Sequence, residues 1–196
     1  MTANALPEFP VQSPDQTDAP SDQQLVAALN AGEAAAFEAL YFRHRDWVLN
    51  LALRFTRSED LALDVMQETF IYLLKKFPGF RLTANLKTFL YPAVKNLSIA
   101  ARRKAVRVQS TEAEQQYLEM LPATDVPLVQ SAELAAALTN LSPEHREVLL
   151  LRYVDDLSLA EIAVATAIPL GTVKSRLHHA LESLRQDPRA REYFES

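Results

Sequence analysis

The run Gly171-Thr172-Val173-Lys174-Ser175-Arg176-Leu177-His178-His179 gathers hydrogen-bond donors over about two and a half turns of helix. At about 100° per residue, Val173, Leu177, Ala180, Leu181 and Leu184 fall within about 100° of arc. Ser175, His178 and Glu182 lie opposite. Lys174 and Arg185 flank that outer face on one side, Thr172 and His179 on the other. Arg176 sits at the edge of the apolar stripe, where its stem can pack while its guanidinium reaches a phosphate. Donors near a helix N-terminus suit readout of base edges in the major groove. The same pattern fits a solvated amphipathic helix with incidental bases. His178 and His179 point about 100° apart, which does not suit a shared metal.

A second constellation lies in DLALDVMQETFIYLLKKF, residues 60–77. Leu63, Met66, Phe70, Leu73 and Leu74 form its expected core side. Asp64, Gln67 and Glu68 form a separate face, with Ile71 between them. Like charges four apart on a helix repel by a few tenths of a kcal/mol. A solvated face tolerates that repulsion, and a basic partner docked there relieves it; the residues leave both readings open. A third lies in NLKTFLYPAVKNLSIAARRKAV, residues 85–106. Phe89 and Tyr91 stand near Lys95 and Asn96, and Arg102, Arg103 and Lys104 make a basic end. Rings beside cations suit single-stranded DNA, where bases stack and phosphates meet charge. Both rings fit a core equally well.

The rest of the composition narrows the classes. The chain has 196 residues and no cysteine, so it holds no disulfide, thiolate nucleophile or Cys-ligated zinc. It shows no Gly-rich phosphate loop and no HExxH, and none of His44, His145, His178 and His179 adjoins an aspartate. No catalytic residue, cofactor or metal is expected. No apolar run approaches the roughly 18 residues that span a bilayer. No Lys or Arg precedes Arg43, so a signal peptide is not indicated. The expectation is a cytoplasmic protein without membrane insertion. The net charge of -5 hides an uneven distribution. Residues 108–141 carry Glu112, Glu114, Glu119, Asp125 and Glu133 and no base, directly after Arg102, Arg103, Lys104 and Arg107.

These residues need helices to position them. Three glycines and abundant Ala, Leu, Glu and Arg predict an all-α fold of two small helical domains. Residues 1–20, with Pro7, Pro10, Pro14 and Pro20, read as a disordered tail. Ser21 and Gln24 form a capping box opening a helix to about Asn30. A helix over 33–55 follows, with Phe37, Leu40, Tyr41, Trp47, Val48 and Leu51 as its apolar stripe. Ser58 caps a third over 60–77, and a fourth covers 85–106. Together they make a first domain over 21–107. Residues 108–130, with Pro122 and Pro127, read as a flexible acidic linker containing a short helix after Thr111. The second domain covers 131–188. Its helices run over 131–140, from Ser142-Pro143-Glu144 to Tyr153, from the Ser158–Glu161 capping box to Ala165, and over 169–186. The last two, joined through Thr166-Ala167-Ile168, form a helix-turn-helix. A C-terminal tail covers 189–196.

The stretch LSPEHREVLLLRYVDDLSLAEIAVATAIPLGTVKSRLHHALESLR resembles domain four of the extracytoplasmic-function sigma factors of the sigma-70 family. The run GTVKSRL is its most specific part. The same helix-turn-helix is similar to the output domain of response regulators, so the first domain has to discriminate. There, DVMQETF and LKTFLYPAVKN resemble sigma domain two, over nearly all of residues 22–107. The resemblance implies a subunit that binds core RNA polymerase through the β′ clamp helices and the β flap. It would direct the enzyme to promoter DNA and help open the minus-ten region. It assigns polymerase docking to Asp64, Gln67, Glu68 and Ile71. It assigns minus-ten DNA to Thr88, Phe89, Tyr91, Lys95, Asn96, Arg102 and Arg103. Thr172, Lys174, Ser175, Arg176, His178 and His179 go to the minus-thirty-five duplex. It also implies an anti-sigma factor as a regulator, and a linker threaded toward the RNA exit path. Four residues depart from the pattern. Ala167 stands where glycine is usual in the turn, and would cost on the order of 1 kcal/mol if φ is positive there. His179 stands for a common arginine, and Phe89 for a frequent tryptophan. Pro92 lies inside the expected helix, where a kink is predicted.

Overall fold

The computed structural model describes residues 19–109 and 132–190. Every regular element among them is an α-helix. In order these are α1 Asp22–Asn30, α2 Ala34–Thr56, α3 Glu59–Leu74, α4 Leu86–Gln109, α5 Ala132–Thr139, α6 Pro143–Tyr153, α7 Leu159–Thr166 and α8 Leu170–Gln186. Nearly all of the expected N-terminal tail and acidic linker, with the capping box at Thr111 and Glu114, lie outside the described residues, as does the C-terminal tail beyond residue 190.

The starts follow from local chemistry. Ser21 accepts from Gln24 N at 3.3 Å while the Gln24 side chain accepts from Ser21 N at 2.7 Å. Ser158 and Glu161 form the same reciprocal box. Ser58 and Ser142 cap α3 and α6, and Pro143 fills the first helical position of α6. α4 stays one helix through Pro92, whose ring sits on its exposed side. Proline gives no N–H to the Thr88 carbonyl one turn back, so this helix lacks one internal bond.

α2, α3 and α4 pack on one another, and α1 packs on α2. Leu40, Val48 and Leu51 of α2 meet Ala62, Val65, Phe70 and Leu73 of α3 and Leu86, Leu90 and Val94 of α4. The α3 core side differs from the expectation. Leu63 and Leu74 are 38% and 41% exposed, while Val65 and Thr69 are buried. The Thr69 hydroxyl donates to the Val65 carbonyl at 2.7 Å, which lets a polar residue sit inside. Asp22 ties α1 down, accepting from Arg43 at 2.7 Å and pairing with buried His44 at 2.9 Å.

α5, α6 and α8 make a second cluster around Ala137, Leu138, Leu141, Leu149, Ala180 and Leu184. Arg146 is buried and donates to the carbonyls of Leu138, Thr139 and Leu141 at 2.6, 2.8 and 2.8 Å. A cation thus satisfies the last carbonyls of α5 and complements its dipole. The two clusters are not separate bodies. Val148, Leu151, Leu157 and Ile162 belong to the same apolar core as α2 to α4, and α7 packs on α4.

Candidate nucleic-acid interface

The helix-turn-helix is built as its sequence requires. α7 ends at Ala167, which adopts φ 56, ψ 36, the left-handed conformation. The chain then enters α8 after Pro169. Val173, Ala180 and Leu184 are buried, whereas Lys174, Ser175, His178 and His179 are exposed and Thr172 and Arg176 half-buried. All six expected duplex contacts therefore border one accessible face of α8. The N-terminus of α6 lies beside it. The His145 and His179 rings stack at 6.0 Å, and Glu182 lies 3.7 Å from His179 and 4.0 Å from His178. The Glu144 carboxyl is held below its ordinary value by its own backbone N–H and the Ser142 hydroxyl, with the charge of Arg176 adding to both.

On α3, Asp64, Gln67, Glu68 and Ile71 are all exposed on one side. Ile71 is 50% exposed, and the unexpectedly exposed Leu63 and Leu74 lie on the same helix. This is a mixed acidic and apolar face. An exposed isoleucine among carboxylates is costly to hydrate and readily covered by a partner.

The α4 residues expected at minus-ten DNA divide between two sides of the helix. Phe89, Asn96 and Arg103 recur every seven residues along one side of the helix. Asn96 and Arg103 are exposed, while Phe89 is half-buried, stacked on Tyr72 at 5.8 Å and tilted on Phe80 at 4.6 Å. Thr88, Tyr91, Lys95 and Arg102 follow spacings of three, four and seven, and lie on another side. Thr88 and Tyr91 are buried at 4% and 1% exposure. The Tyr91 hydroxyl and the Lys95 ammonium both donate to Glu147 of α6. Burial, together with the Glu147 carboxylate, pushes the Tyr91 phenol far above its ordinary value, so it remains a donor. Burial and the like charge of Arg57 hold Arg102 below its usual range. A small pocket of about 120 Å³ beside Phe89 is lined by Phe80, Asn85 and Thr88 and walled on one side by Val164 of α7. The Thr88 hydroxyl has no hydrogen-bond partner among the described residues.

Sequence reasoning missed five residues at this place: Trp47, Arg54, Lys87, Glu147 and Asp155. Trp47 Nε1 donates to Asp155 at 2.7 Å, and Arg54 donates to both Asp155 carboxylate oxygens at 2.6 and 2.7 Å. Lys87 Nζ donates to the Asp155 carbonyl at 2.9 Å. The four-residue spacing of Lys87, Tyr91 and Lys95 was a readable signal of one shared face. Nothing local signals a pairing between residues 54 and 155.

Comparison with known proteins agrees with this architecture. Residues 40–108 match the family described as Sigma-70 region 2, and residues 131–184 the family described as Sigma-70, region 4. The chain is 30% identical over 179 residues to the ECF RNA polymerase sigma factor SigW of Bacillus subtilis, covering 84% of this chain and 95% of that one. It is 35% identical over 164 residues to SigL of Mycobacterium tuberculosis, covering 82% and 93%. In fold it is similar to the sigma factor RpoE of Bartonella quintana, solved with the anti-sigma factor NepR. The TM-score is 0.58 at 22% identity, covering 76% of this chain and 94% of that one. CnrH, solved with the cytosolic domain of CnrY, gives a TM-score of 0.59 at 22% identity, covering 83% and 93%.

Proposed function

This chain belongs to the extracytoplasmic-function sigma factors of the sigma-70 family, and from that premise we propose a division of labour among its helical faces. A sigma factor of this group binds core RNA polymerase and directs it to promoters, and it is not an enzyme. The finer assignments are as follows. Residues 21–107 act as domain two and 131–188 as domain four. Asp64, Gln67, Glu68 and Ile71 dock on the β′ clamp helices, where basic residues relieve the carboxylate repulsion and an apolar surface covers Ile71. Domain four meets the β flap and lays α8 in the minus-thirty-five major groove. Lys174 and Arg176 contact phosphate there, and Ser175, His178 and His179 face base edges. Phe89, Asn96 and Arg103 take the separated minus-ten strand. A base lifted out of the duplex needs stacking and hydrogen bonding to offset a few kcal/mol. The pocket beside Phe89, with the Thr88 hydroxyl, suits that task.

The observation that carries the reading is the exposed α3 face in the same chain as the outward-facing donors of α8. A stand-alone regulator needs the second and has no use for the first. The site of action is the cytoplasm, where core polymerase and promoter DNA meet. No helix among the described residues is long and apolar enough to cross a membrane. An anti-sigma partner is part of the proposal, supported by its similarity in fold to a sigma factor solved with one. Run-off transcription with core polymerase and genomic DNA fragments tests the reading. Specific transcripts that depend on the added chain are expected. No transcript, together with no co-purification with core, sinks it.

A further inference from the structure

Three of the four histidines of the chain gather where the start of α6 meets the outer face of α8. The His145 ring stacks on His179 at 6.0 Å with 29° between their planes, and His179 meets His178 at 5.5 Å. His178 and His179 are exposed on the face that carries Lys174 and Ser175, and half-buried His145 extends that face onto a second helix. The fourth, His44, is buried against Asp22 in the other cluster. Two carboxylates face the three rings. Glu182 lies 3.7 Å from His179 and 4.0 Å from His178. Glu144 precedes His145 and accepts from its own backbone N–H, so the positive end of the α6 dipole is already partly covered. The charge of Arg176 acts on Glu144, Lys174 stands one turn before His178, and Arg185 lies two turns beyond it. Other charges on the helices packed here are turned elsewhere. Arg146 donates to carbonyls of α5, Glu147 accepts from α4, Arg152 donates to the Leu157 carbonyl, and Glu161 caps α7. Glu133 lies in the first turn of α5. With the imidazoles neutral, Glu144 and Glu182 therefore balance Lys174 and Arg176. With the imidazoles protonated, the same patch is strongly cationic.

We propose that His145 is a further contact of the minus-thirty-five surface beside His178 and His179, and that the three imidazoles engage the duplex as cations. This rests on the reading of α8 as the recognition helix, and it adds a residue and a proton requirement to that site. Histidine is the side chain whose charge changes between pH 5 and 8, so the patch passes from near neutral to cationic as pH falls. Protonated rings at these separations repel one another. Phosphates brought against them relieve that repulsion, so binding takes up protons. Linkage is reciprocal, and duplex affinity therefore rises as pH falls. His145 stands off the recognition helix and reaches the backbone. His178 and His179 face base edges, where an imidazolium presents two donors and no acceptor. Glu182, which would otherwise repel phosphate, is neutralised by the rings it faces.

Fluorescence anisotropy of the full chain with a labelled mixed-sequence duplex of about 20 base pairs, at about pH 6 and about pH 8 over a range of salt, tests this. Affinity should be about tenfold higher at the lower pH. The slope of log affinity against log salt should steepen by roughly two, since each added cation releases about one counter-ion. His145→Gln with His178→Gln and His179→Gln should keep the helicity and thermal midpoint of the parent. It should bind at both pH values as the parent does at the higher one, although His44 remains. His145→Gln alone should lessen the steepening, and His145→Arg should strengthen binding at the higher pH. Equal affinities of the parent at the two pH values overturn the proposal and leave α8 as the recognition helix. A pH dependence that survives the triple substitution overturns it as well. An undiminished pH dependence in His145→Gln returns that ring to packing and overturns its assignment. No duplex binding at either pH removes the α8 reading itself, and the proposal with it.

Discussion

Ala167 holds φ 56 in the turn between α7 and α8, a conformation in which a Cβ crowds the following carbonyl. The fold keeps it there because the capping box at Ser158 and the buried Ile162 and Val173 on either side fix both helices. Ala167→Gly should therefore raise stability by about 1 kcal/mol, seen as a higher urea midpoint with an unchanged slope. A second residue-scale case is Asp22. Burial raises its carboxyl, but the hydrogen bonds from His44 and Arg43 outweigh this and hold it below the ordinary 3.8. A depressed carboxylate contributes stability that is present above its unfolded pKa and is lost as pH falls through the folded one. Asp22→Asn should thus cost about 1 kcal/mol near neutral pH, allowing for partial exposure, and the difference should vanish in strong acid. Parallel denaturation curves at the two pH values check it; a difference that persists in acid would show that the charge is not responsible.

At the scale of elements, α3 and α4 show how one helix serves two neighbours. α3 turns Ala62, Val65, Thr69 and Leu73 inward and leaves Asp64, Gln67, Glu68 and Ile71 outside. Since none of the outer four supports the core, Asp64→Arg with Glu68→Arg should leave helicity and thermal midpoint nearly unchanged. Co-purification with core polymerase should be lost, because two favourable charges become two unfavourable ones. Retained binding with an intact fold would move the docking face elsewhere. α4 divides the other way, with Phe89, Asn96 and Arg103 along one side and Tyr91 and Lys95 against α6.

At the scale of the whole molecule, the core running from α2 through α4 into α6 and α7 couples the clusters. The single tryptophan sits at their junction, donating to Asp155. In the unsubstituted chain, the shift of Trp47 emission and the loss of helicity should coincide along a urea titration. In Asp155→Asn, Arg54 keeps a buried charge without its counter-ion, so the junction fails first. Trp47 emission should then shift at lower urea than helicity is lost. Coincident transitions in this variant would show that Asp155 does not hold the junction.

The helices, their caps and the outward faces of α3 and α8 were legible in the sequence. Each follows from contacts within a few residues: Ser21 with Gln24, Ser158 with Glu161, Pro143 after Ser142, and apolar residues recurring at helical spacing. The family resemblance was legible for the same reason, since it rests on contiguous runs such as GTVKSRL. The partition of α4 into two faces, the inward turn of Thr69 and the burial of Tyr91 were decided by tertiary structure. A helical wheel ranks residues by polarity against a single neighbour, and α4 has neighbours on two sides. The joining of Arg54 to Asp155 lies further out of reach, because residues separated by 101 positions meet only when two clusters close on each other. That closure sets which of the expected nucleic-acid residues are exposed and which are buried or paired.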